Sequence, residues 1–288
     1  MNFKFVSGRN LTFDDSQYDE TELVLLNTWS LGQVDSRMIS VIAPYCDGDN
    51  YYGQTLGSRT ITIPYVLMAT SRSELFDLVR TVKSVFNPKD GLGLLTITMD
   101  GGDEYVIWCV PEGTPYAPAG NQRGVWYQTL ILTLKVPYPF FIDPAYHSFS
   151  ISGFSGGFVL PLSLPWTFGE VGQQIDVENN GDSPTPLIVT FLGEITNPRI
   201  DNLTTDEYLK AVLALGAGEV LEINTAQGQH TVHYIHGGTT DNGFGYLTTD
   251  SKFFWLEPGT NTLSFTSSGA LGATAACAVL FYDQYLEV

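Results

Sequence analysis

Leu94–Val110 reads LLTITMDGGDEYVIWCV, and this stretch decides the fold class. Leu95 and Ile97 alternate with polar residues before the two glycines, and Ile107 and Cys109 continue an alternation after them. Alternation with a period of two is typical of a half-buried strand, and a Gly-Gly connection between two such runs is typical of a β-hairpin. The stretch therefore predicts two antiparallel strands joined by a two-residue turn.

Similar runs lie on both sides of this hairpin and extend the β prediction over most of the chain. They are Arg59–Tyr65, Thr129–Val136, Leu187–Gly193, Glu219–Thr225, His230–His236 and the apolar tail after Thr274. YLKAVLALGAG (Tyr208–Gly218) has helical propensity, but its alternating leucines favour a strand. FFWLEPGTNTLSF (Phe253–Phe265) predicts a further hairpin around a type II turn at Pro258-Gly259.

One segment predicts a helix, over residues 72–87. Its apolar side chains recur at the i, i+3, i+4, i+7 spacing of a single helical face. Ser71 and Glu74 have the spacing of a capping box, and Pro88 disfavours helical geometry at Asn87. We expect the apolar face to cover a sheet, and a partner-binding groove is the less favoured interpretation.

The chain length of 288 residues favours two domains. PYPFFIDP contains three prolines, which stop the preceding strand, and a small, Gly-rich stretch follows. We therefore place an N-terminal β domain with the helix at residues 1–148. A C-terminal β-sandwich follows at residues 149–288, so the fold class is mainly β with one amphipathic helix.

The charge balance argues against two classes of partner. Residues 1–150 hold 10 basic and 16 acidic side chains, residues 151–288 hold 3 and 15, and the whole chain has a formal charge of −18. Stable binding to nucleic acid or to an anionic membrane needs clustered Lys and Arg.

The N-terminus has no signal-peptide pattern, and no segment has the roughly 20 apolar residues of a membrane span.

The sequence shows no catalytic motif, and we predict no catalytic residue, metal site or cofactor. His230, His233 and His236 form the one histidine cluster, but on a strand His233 points away from the other two. Adjacent acidic pairs such as Asp14-Asp15 are expected by chance among 31 acidic residues. The cysteines lack a CxxC spacing, so buried free thiols are favoured at Cys109 and Cys277.

The order of several motifs resembles the distal tail protein family of siphoviruses, the bacteriophages with long non-contractile tails. In the first half the resemblance rests on GSRTITIPYVL, FNPKDGLG and YVIWCVP, and in the second half on VENNGDSPTPLIVTFLGEITNPRIDNLTT, GAGEVLEINT and SKFFWLEPGTNTLSF. It extends roughly from Arg59 to Phe281. The first fifty or so residues and the histidine-bearing strand match no pattern of the family.

This resemblance implies a small β-barrel-like domain followed by a galectin-like β-sandwich. It also implies a structural role without enzymatic activity, in the virion, after assembly in the host cytoplasm. Six copies would form a ring at the tail tip that joins the tail tube protein to a tail-associated hub or lysin, with receptor-binding proteins as further candidate partners. The genome would pass through this ring without stable binding.

Tyr51 and Tyr52 lie in a polar, Gly-rich stretch, Cys46–Ser58, that predicts a loop. We select these tyrosines as a candidate contact with another subunit or a tail partner, and a mobile surface loop remains the alternative.

Two other functions of the protein stay open. A carbohydrate-binding sandwich would use Trp255 or Trp166 to recognise cell-wall glycans, and a glycoside hydrolase would use an acid pair that no motif identifies.

Overall fold

The structure is a computed structural model that describes residues 1–45, 47–152, 173–269, 271 and 274–288. The chain divides into two compact units, the first formed by Met1–Pro144 with Leu286–Val288 and the second by Ala145–Tyr285. Strands dominate both units, and the described ranges contain one α-helix, which confirms the mainly β fold class. The expected domain boundary after residue 148 falls inside a strand, Phe141–Ser152.

The first unit is an antiparallel sheet with one helix. Its elements in chain order are β1 (Asn2–Val6), β2 (Thr12–Asp14), β3 (Leu23–Leu25), β4 (Ser36–Ile42), β5 (Asp49–Leu56), β6 (Arg59–Met68), α1 (Arg72–Val85), β7 (Gly93–Thr98), β8 (Glu104–Pro111), β9 (Tyr127–Val136) and the start of β10 (Phe141–Ser152). The main sheet has the order β2-β1-β7-β8-β9-β6-β3. Where the structure describes them, the strands do not close into a complete barrel.

Strands β7 and β8 confirm the hairpin predicted from Leu94–Val110. Leu95 pairs with Ile107 and Ile97 with Tyr105, so the apolar residues of both strands share one buried face. The predicted two-residue turn is wrong. The Met99 amide donates to the Asp103 carbonyl oxygen at 2.8 Å, which makes the loop three residues long, and Gly102 adopts the positive φ of 94° that closes it.

Helix α1 begins where the sequence predicts and ends two residues earlier. The Glu74 amide donates to the Ser71 side chain at 3.2 Å, which satisfies one of the free amides at the N-terminus. Phe86 leaves helical geometry at ψ 52°, and the Asn87 side chain then accepts from the Lys89 amide to start a 3₁₀ turn. The predicted end at residue 87 therefore belongs to the next turn.

Aromatic side chains join the helix to the sheet in the first unit. Phe86 stacks on Phe5 with ring centroids 4.8 Å apart and meets Phe13 edge-on. Phe13 also contacts Tyr65 of β6. All four rings are almost fully buried, so the amphipathic face of α1 covers the sheet as expected.

The second unit contains the end of β10 and eleven further strands. They are β11 (Gln173–Asn179), β12 (Leu187–Leu192), β13 (Ile195–Thr196), β14 (Arg199–Asn202), β15 (Glu207–Lys210), β16 (Ala214–Leu215), β17 (Val220–Asn224), β18 (Thr231–His236), β19 (Thr239–Asn242), β20 (Gly259–Thr266) and β21 (Ala276–Tyr285). Two antiparallel sheets have the orders β19-β18-β17-β12-β21 and β11-β20-β14-β15. Tyr208–Gly218 forms strands β15 and β16, as predicted. Strand β10 runs through Pro144, so the third proline of PYPFFIDP does not stop a strand.

One apolar core lies between the two sheets of the second unit. Val189 and Phe191 of β12 point into it from one sheet, and Leu263 and Phe265 of β20 from the other. The rings of Phe191 and Phe265 stack with centroids 5.9 Å apart. Alternating buried residues on facing strands are typical of a β-sandwich, so this part of the prediction is confirmed.

The predicted hairpin at Phe253–Phe265 is wrong, because the residues before and after the turn pair with other parts of the chain and not with each other. Strand β20 pairs with β11 and β14, while Leu256 forms an isolated bridge with Thr185. The turn at Pro258-Gly259 is held by the buried Asn261 side chain. Its amide oxygen accepts from the Glu257 amide, and its nitrogen donates to the carbonyl oxygens of Glu257 and Gly259.

Other residues of the second-half motifs also satisfy buried backbone groups. Thr225 exchanges hydrogen bonds with the amide and carbonyl groups of Leu187. Asn179 donates to the carbonyl oxygens of Ser183 and Leu256. A Cβ atom at Gly181 would lie 2.3 Å from the Gln284 carbonyl oxygen, so this position requires glycine.

Candidate interaction surface

Strands β4 and β5 form a two-stranded hairpin with apolar side chains exposed on both faces. Within the described part of the chain, these strands pair only with each other. The side chains of Met38, Ile39, Val41, Ile42, Tyr51 and Tyr52 are all more than half exposed. Ile42 reaches 75% exposure, and Tyr52 reaches 69%. We call Ser36–Leu56 the exposed hairpin.

The structure corrects the predicted loop at Cys46–Ser58. Residues 49–56 form strand β5, and the connection is confined to the segment before it; Cys46 lies outside the described residues. The pairing shifts from Ile39 opposite Gly53 to Ser40 opposite Tyr51, which leaves Tyr52 as the extra residue of a β-bulge. Tyr51 and Tyr52 therefore lie on a paired strand, and their role as contacts stays a prediction.

An isolated two-stranded hairpin is only marginally stable in water. Natural proteins normally cover or charge such edges because unpaired strands associate with other chains. The exposed hairpin instead presents four apolar residues in five, MISVI, along β4. Clustered apolar exposure of this kind is typical of surfaces that bind a protein, a membrane or a ligand, so the exposed hairpin is a candidate interaction surface.

Acidic side chains lie at the tip of the exposed hairpin. Asp47 and Asp49 are exposed on either side of Gly48, which has a positive φ of 80°. The Ser40 hydroxyl donates to Asp49 at 2.8 Å across the strands. Tyr45, at φ 63°, is fully exposed beside them. The tip therefore combines negative charge with an aromatic ring.

The three histidines of the cluster His230, His233 and His236 each lie next to a different residue. His230 stacks on Phe253 at 4.5 Å, and the His236 ring nitrogen lies 2.8 Å from a carboxylate oxygen of Asp241. His233 lies between these two along the strand, opposite Asn242 of β19. Among the described residues, no group of three or more His, Cys, Asp or Glu side chains could hold a metal ion.

The carboxylates of the N-terminal acidic pair have structural partners. The Phe3 amide and the Tyr65 hydroxyl each donate to Asp15 at 2.9 Å. Burial raises the pKa of Asp15, and the hydrogen bonds from Phe3 and Tyr65 oppose that shift. Burial also raises the pKa of Tyr65, with a further contribution from Asp15. The neighbouring Asp14 accepts from the Ser16 amide and hydroxyl.

Cys109 and Cys277 are buried free thiols, as expected. Burial raises the pKa of Cys109 to about 12, and it raises the pKa of Cys277 as well. Thiols with raised pKa values are poor nucleophiles at neutral pH because the thiolate is the reactive form.

None of the helices formed by the described residues is long and apolar enough to cross a bilayer.

Trp255 and Trp166 are the two candidate residues for sugar binding, and the structure describes only Trp255. The Trp255 indole nitrogen donates to the Thr225 carbonyl oxygen at 3.0 Å, which anchors the ring in the sandwich. Trp166 lies outside the described residues. Trp255 thus has a structural partner for its polar atom, and glycan binding stays a prediction.

Sequence reasoning selected two tyrosines of this surface and missed its other apolar members. Met38, Ile39 and Ile42 belong to a short apolar run, MISVIAP, for which no contact role was predicted. A strand exposed on both faces has no alternation, and MISVI indeed contains four apolar residues in five. That lack of alternation beside a turn-rich segment was the available signal for an exposed hairpin.

Two sequence-family models match the chain, one in each half. A phage tail protein RIFT-related domain matches residues 22–136, and the C-terminal domain of the siphovirus-type tail component matches residues 180–279. Together they cover about three quarters of the chain. No curated protein sequence gives a significant match.

Solved structures share the fold over nearly the whole chain. The crystal structure of the SPP1 Dit (gp 19.1) protein, described as a paradigm of the hub adsorption apparatus in phages that infect Gram-positive hosts, has a TM-score of 0.65 and 13% identity over 99% of both chains. A chain of the phage P2 baseplate in its activated conformation with Ca has a TM-score of 0.50 and 11% identity, over 100% of this chain and 99% of that one.

A two-unit β fold that both tail-domain models match defines a structural component of a bacteriophage tail. The chain belongs to the siphovirus distal tail protein family, which confirms the resemblance found in its motifs. Its role is a structural one in the phage tail, and its place is in the virion.

Proposed function

We propose that six copies of this protein form a closed ring at the distal end of the tail tube. The ring joins the tube protein on one side to the tail-associated hub or lysin on the other, and it anchors receptor-binding proteins. It is assembled in the host cytoplasm, has no enzymatic activity and lets the genome pass without stable binding. The observation that carries the proposal is the exposed hairpin, which has the properties of an uncovered subunit contact.

The hairpin supports a contact between copies of the chain for two reasons. Its apolar residues lie on both faces, so a neighbour can enclose it rather than touch one side. A contact between two different surfaces of the same chain repeats head to tail, and such contacts close into a ring when the rotation fits. Each interface of a stable ring buries well over ~1,000 Å².

Light scattering on the purified chain at several concentrations tests the ring. We expect a mass near six chains that falls on dilution. The double substitution Tyr51→Ser/Tyr52→Ser should shift the equilibrium toward monomer without lowering the thermal stability of the fold, because both side chains are exposed.

The matched control is Leu203→Ser/Val212→Ser, which removes two exposed apolar side chains from the second unit. This variant should assemble like the parent chain. A parent chain that stays monomeric at every concentration, also with tube protein present, would contradict the ring.

A further inference from the structure

A groove on the first unit is lined by one face of α1, by the segment before β9 and by the start of β9. The lining residues include Arg72, Leu75, Phe76, Lys83, Arg123 and Val125. The wall at residues 117–119 is held by Gln128, whose buried amide donates to the Pro118 carbonyl oxygen at 3.1 Å. Helix α1 therefore forms one wall of the groove, and the opposite wall is attached to β9 through this hydrogen bond.

The groove is basic in an acidic protein. It contains Arg72, Lys83 and Arg123, three of the thirteen basic residues in a chain of formal charge −18. None of the described lining residues is Asp or Glu, and the nearby Glu74 accepts instead from Thr70 at the start of the helix. Such a local excess of positive charge favours an acidic partner surface.

The floor of the groove is apolar and partly open. Leu75 is buried beneath it, while Phe76 and Val125 are each about half exposed at its sides. Its volume of about 270 Å³ lies below the range of ~300–1,000 Å³ that small-molecule sites occupy. A cavity of this size suits a few anchoring side chains of a protein partner.

We propose that this groove receives the exposed hairpin of a neighbouring copy in the ring, an inference that rests on the proposed ring. The hairpin tip combines Asp47 and Asp49 with the exposed ring of Tyr45. The groove combines positive charge at its rim with an apolar floor. Both parts are present once in each copy, so the contact repeats around a ring with one hairpin and one groove at every interface.

Charge reversal tests the groove while the ring itself is measured independently. In the full chain, Lys83→Glu and Arg123→Glu should each weaken self-association about tenfold by light scattering. Arg80→Glu is the matched control, because Arg80 lies on the same helix, is exposed and does not line the groove. The pair Asp47→Lys/Asp49→Lys should weaken association as well, and combining it with Lys83→Glu should restore part of the loss.

The outcomes separate the contact from the ring. If the parent chain forms a ring and both groove variants assemble equally well, the groove contact is overturned and the ring stands. If the parent chain remains monomeric under all conditions, the ring and the contact both fail.

Cross-linking provides a second test that does not depend on charge. A benzophenone amino acid at position 125 should cross-link, in the assembled sample, to residues 36–56 of another copy. Mixing isotope-labelled and unlabelled chains identifies links between copies. Links to any other segment, links confined to one chain, or no link in an assembled ring would overturn the proposal.

Discussion

Single side chains satisfy buried backbone groups at several points of the second unit. Asn261, Thr225 and Asn179 each hold two or more backbone atoms that lie outside the regular ladders. Buried polar groups that lose their partner cost more free energy than the average hydrogen bond contributes. The motifs that identify the family in the second half therefore mark positions that hold irregular backbone in place.

Asn261→Ala should lower the free energy of unfolding of the second unit by about 2 kcal/mol, because three hydrogen bonds to Glu257 and Gly259 are lost in a buried site. Chemical denaturation measures the change. Asn242→Ala is the control, since that side chain accepts one hydrogen bond at an exposed turn. Equal losses in the two variants would contradict the role given to Asn261.

We expect the buried Asp15 carboxylate to make the free energy of unfolding depend on pH. Because burial raises its pKa in the folded state, the folded chain binds this proton more tightly than the unfolded chain does. Stability from this group is therefore greatest below the unfolded value of 3.8 and falls as pH rises through the folded pKa. Asp15→Asn should remove that fall.

The measurement is the difference in unfolding free energy between the parent chain and Asp15→Asn at several pH values from below 3.8 upward. Taking the difference removes the contributions of the other carboxylates, which are common to both proteins. A difference that stays constant across this range would show that Asp15 titrates alike in both states.

Among the strands, the β7–β8 turn gives a matched pair of substitutions. Gly102→Ala should destabilise the first unit by about 1–2 kcal/mol, because Gly102 has φ 94°, where a Cβ atom is unfavourable. Gly101→Ala should change stability much less, since a Cβ there lies 3.5 Å from the Asp103 side chain in ordinary contact. Thermal unfolding of both variants checks this, and a larger loss for Gly101→Ala would refute the three-residue loop.

Strands with one buried face could be predicted from the sequence, and strands without such a face could not. The alternation of β7, β12 and β20 follows from a core on one side. Strand β5, DNYYGQTL, is exposed on both sides, so Tyr51 and Tyr52 were assigned to a loop for lack of a pattern. The hairpin assumed at Phe253–Phe265 failed because a side chain, Asn261, closes the turn in place of a strand partner.

The candidate surfaces were also only partly predictable. Two tyrosines of the exposed hairpin were selected from composition, but the groove needs residues from two distant segments. Phe76 and Val125 are brought together only by the packing of α1 beside the segment before β9. The helical periodicity identified the buried face of α1 and contained no signal for the half-exposed Phe76 next to it.

For the chain as a whole, the buried Arg59 holds the C-terminal residues Leu286–Val288 against the rest of the first unit. Its guanidinium donates to the Leu286 carbonyl oxygen and lies above the Phe141 ring, 4.6 Å from the centroid. Burial lowers the pKa of Arg59, and Glu287 opposes this at 3.8 Å. In the described structure, its Nε and Nη1 atoms have no hydrogen-bond partner. Few interactions therefore compensate this buried charge.

Deleting residues 286–288 should lower the stability of the first unit by about 1.5–3 kcal/mol, because a charged hydrogen bond to Arg59 is lost. Glu287→Gln is the control, since it keeps the Leu286 carbonyl oxygen and changes only an exposed charge. Thermal unfolding followed by near-UV circular dichroism measures both. A deletion that melts like the parent chain would show that Arg59 does not depend on this segment.

The membership of Leu286–Val288 in the first unit also has a consequence for synthesis. A ribosome completes Met1–Pro144 and must then translate Ala145–Tyr285 before the residues that contact Arg59 emerge. At ~5–20 residues per second this delay lasts roughly 7–28 s. During that interval Arg59 of the nascent first unit lacks its hydrogen bond to the Leu286 carbonyl oxygen. The first unit therefore reaches its final form only after the second unit has left the ribosome.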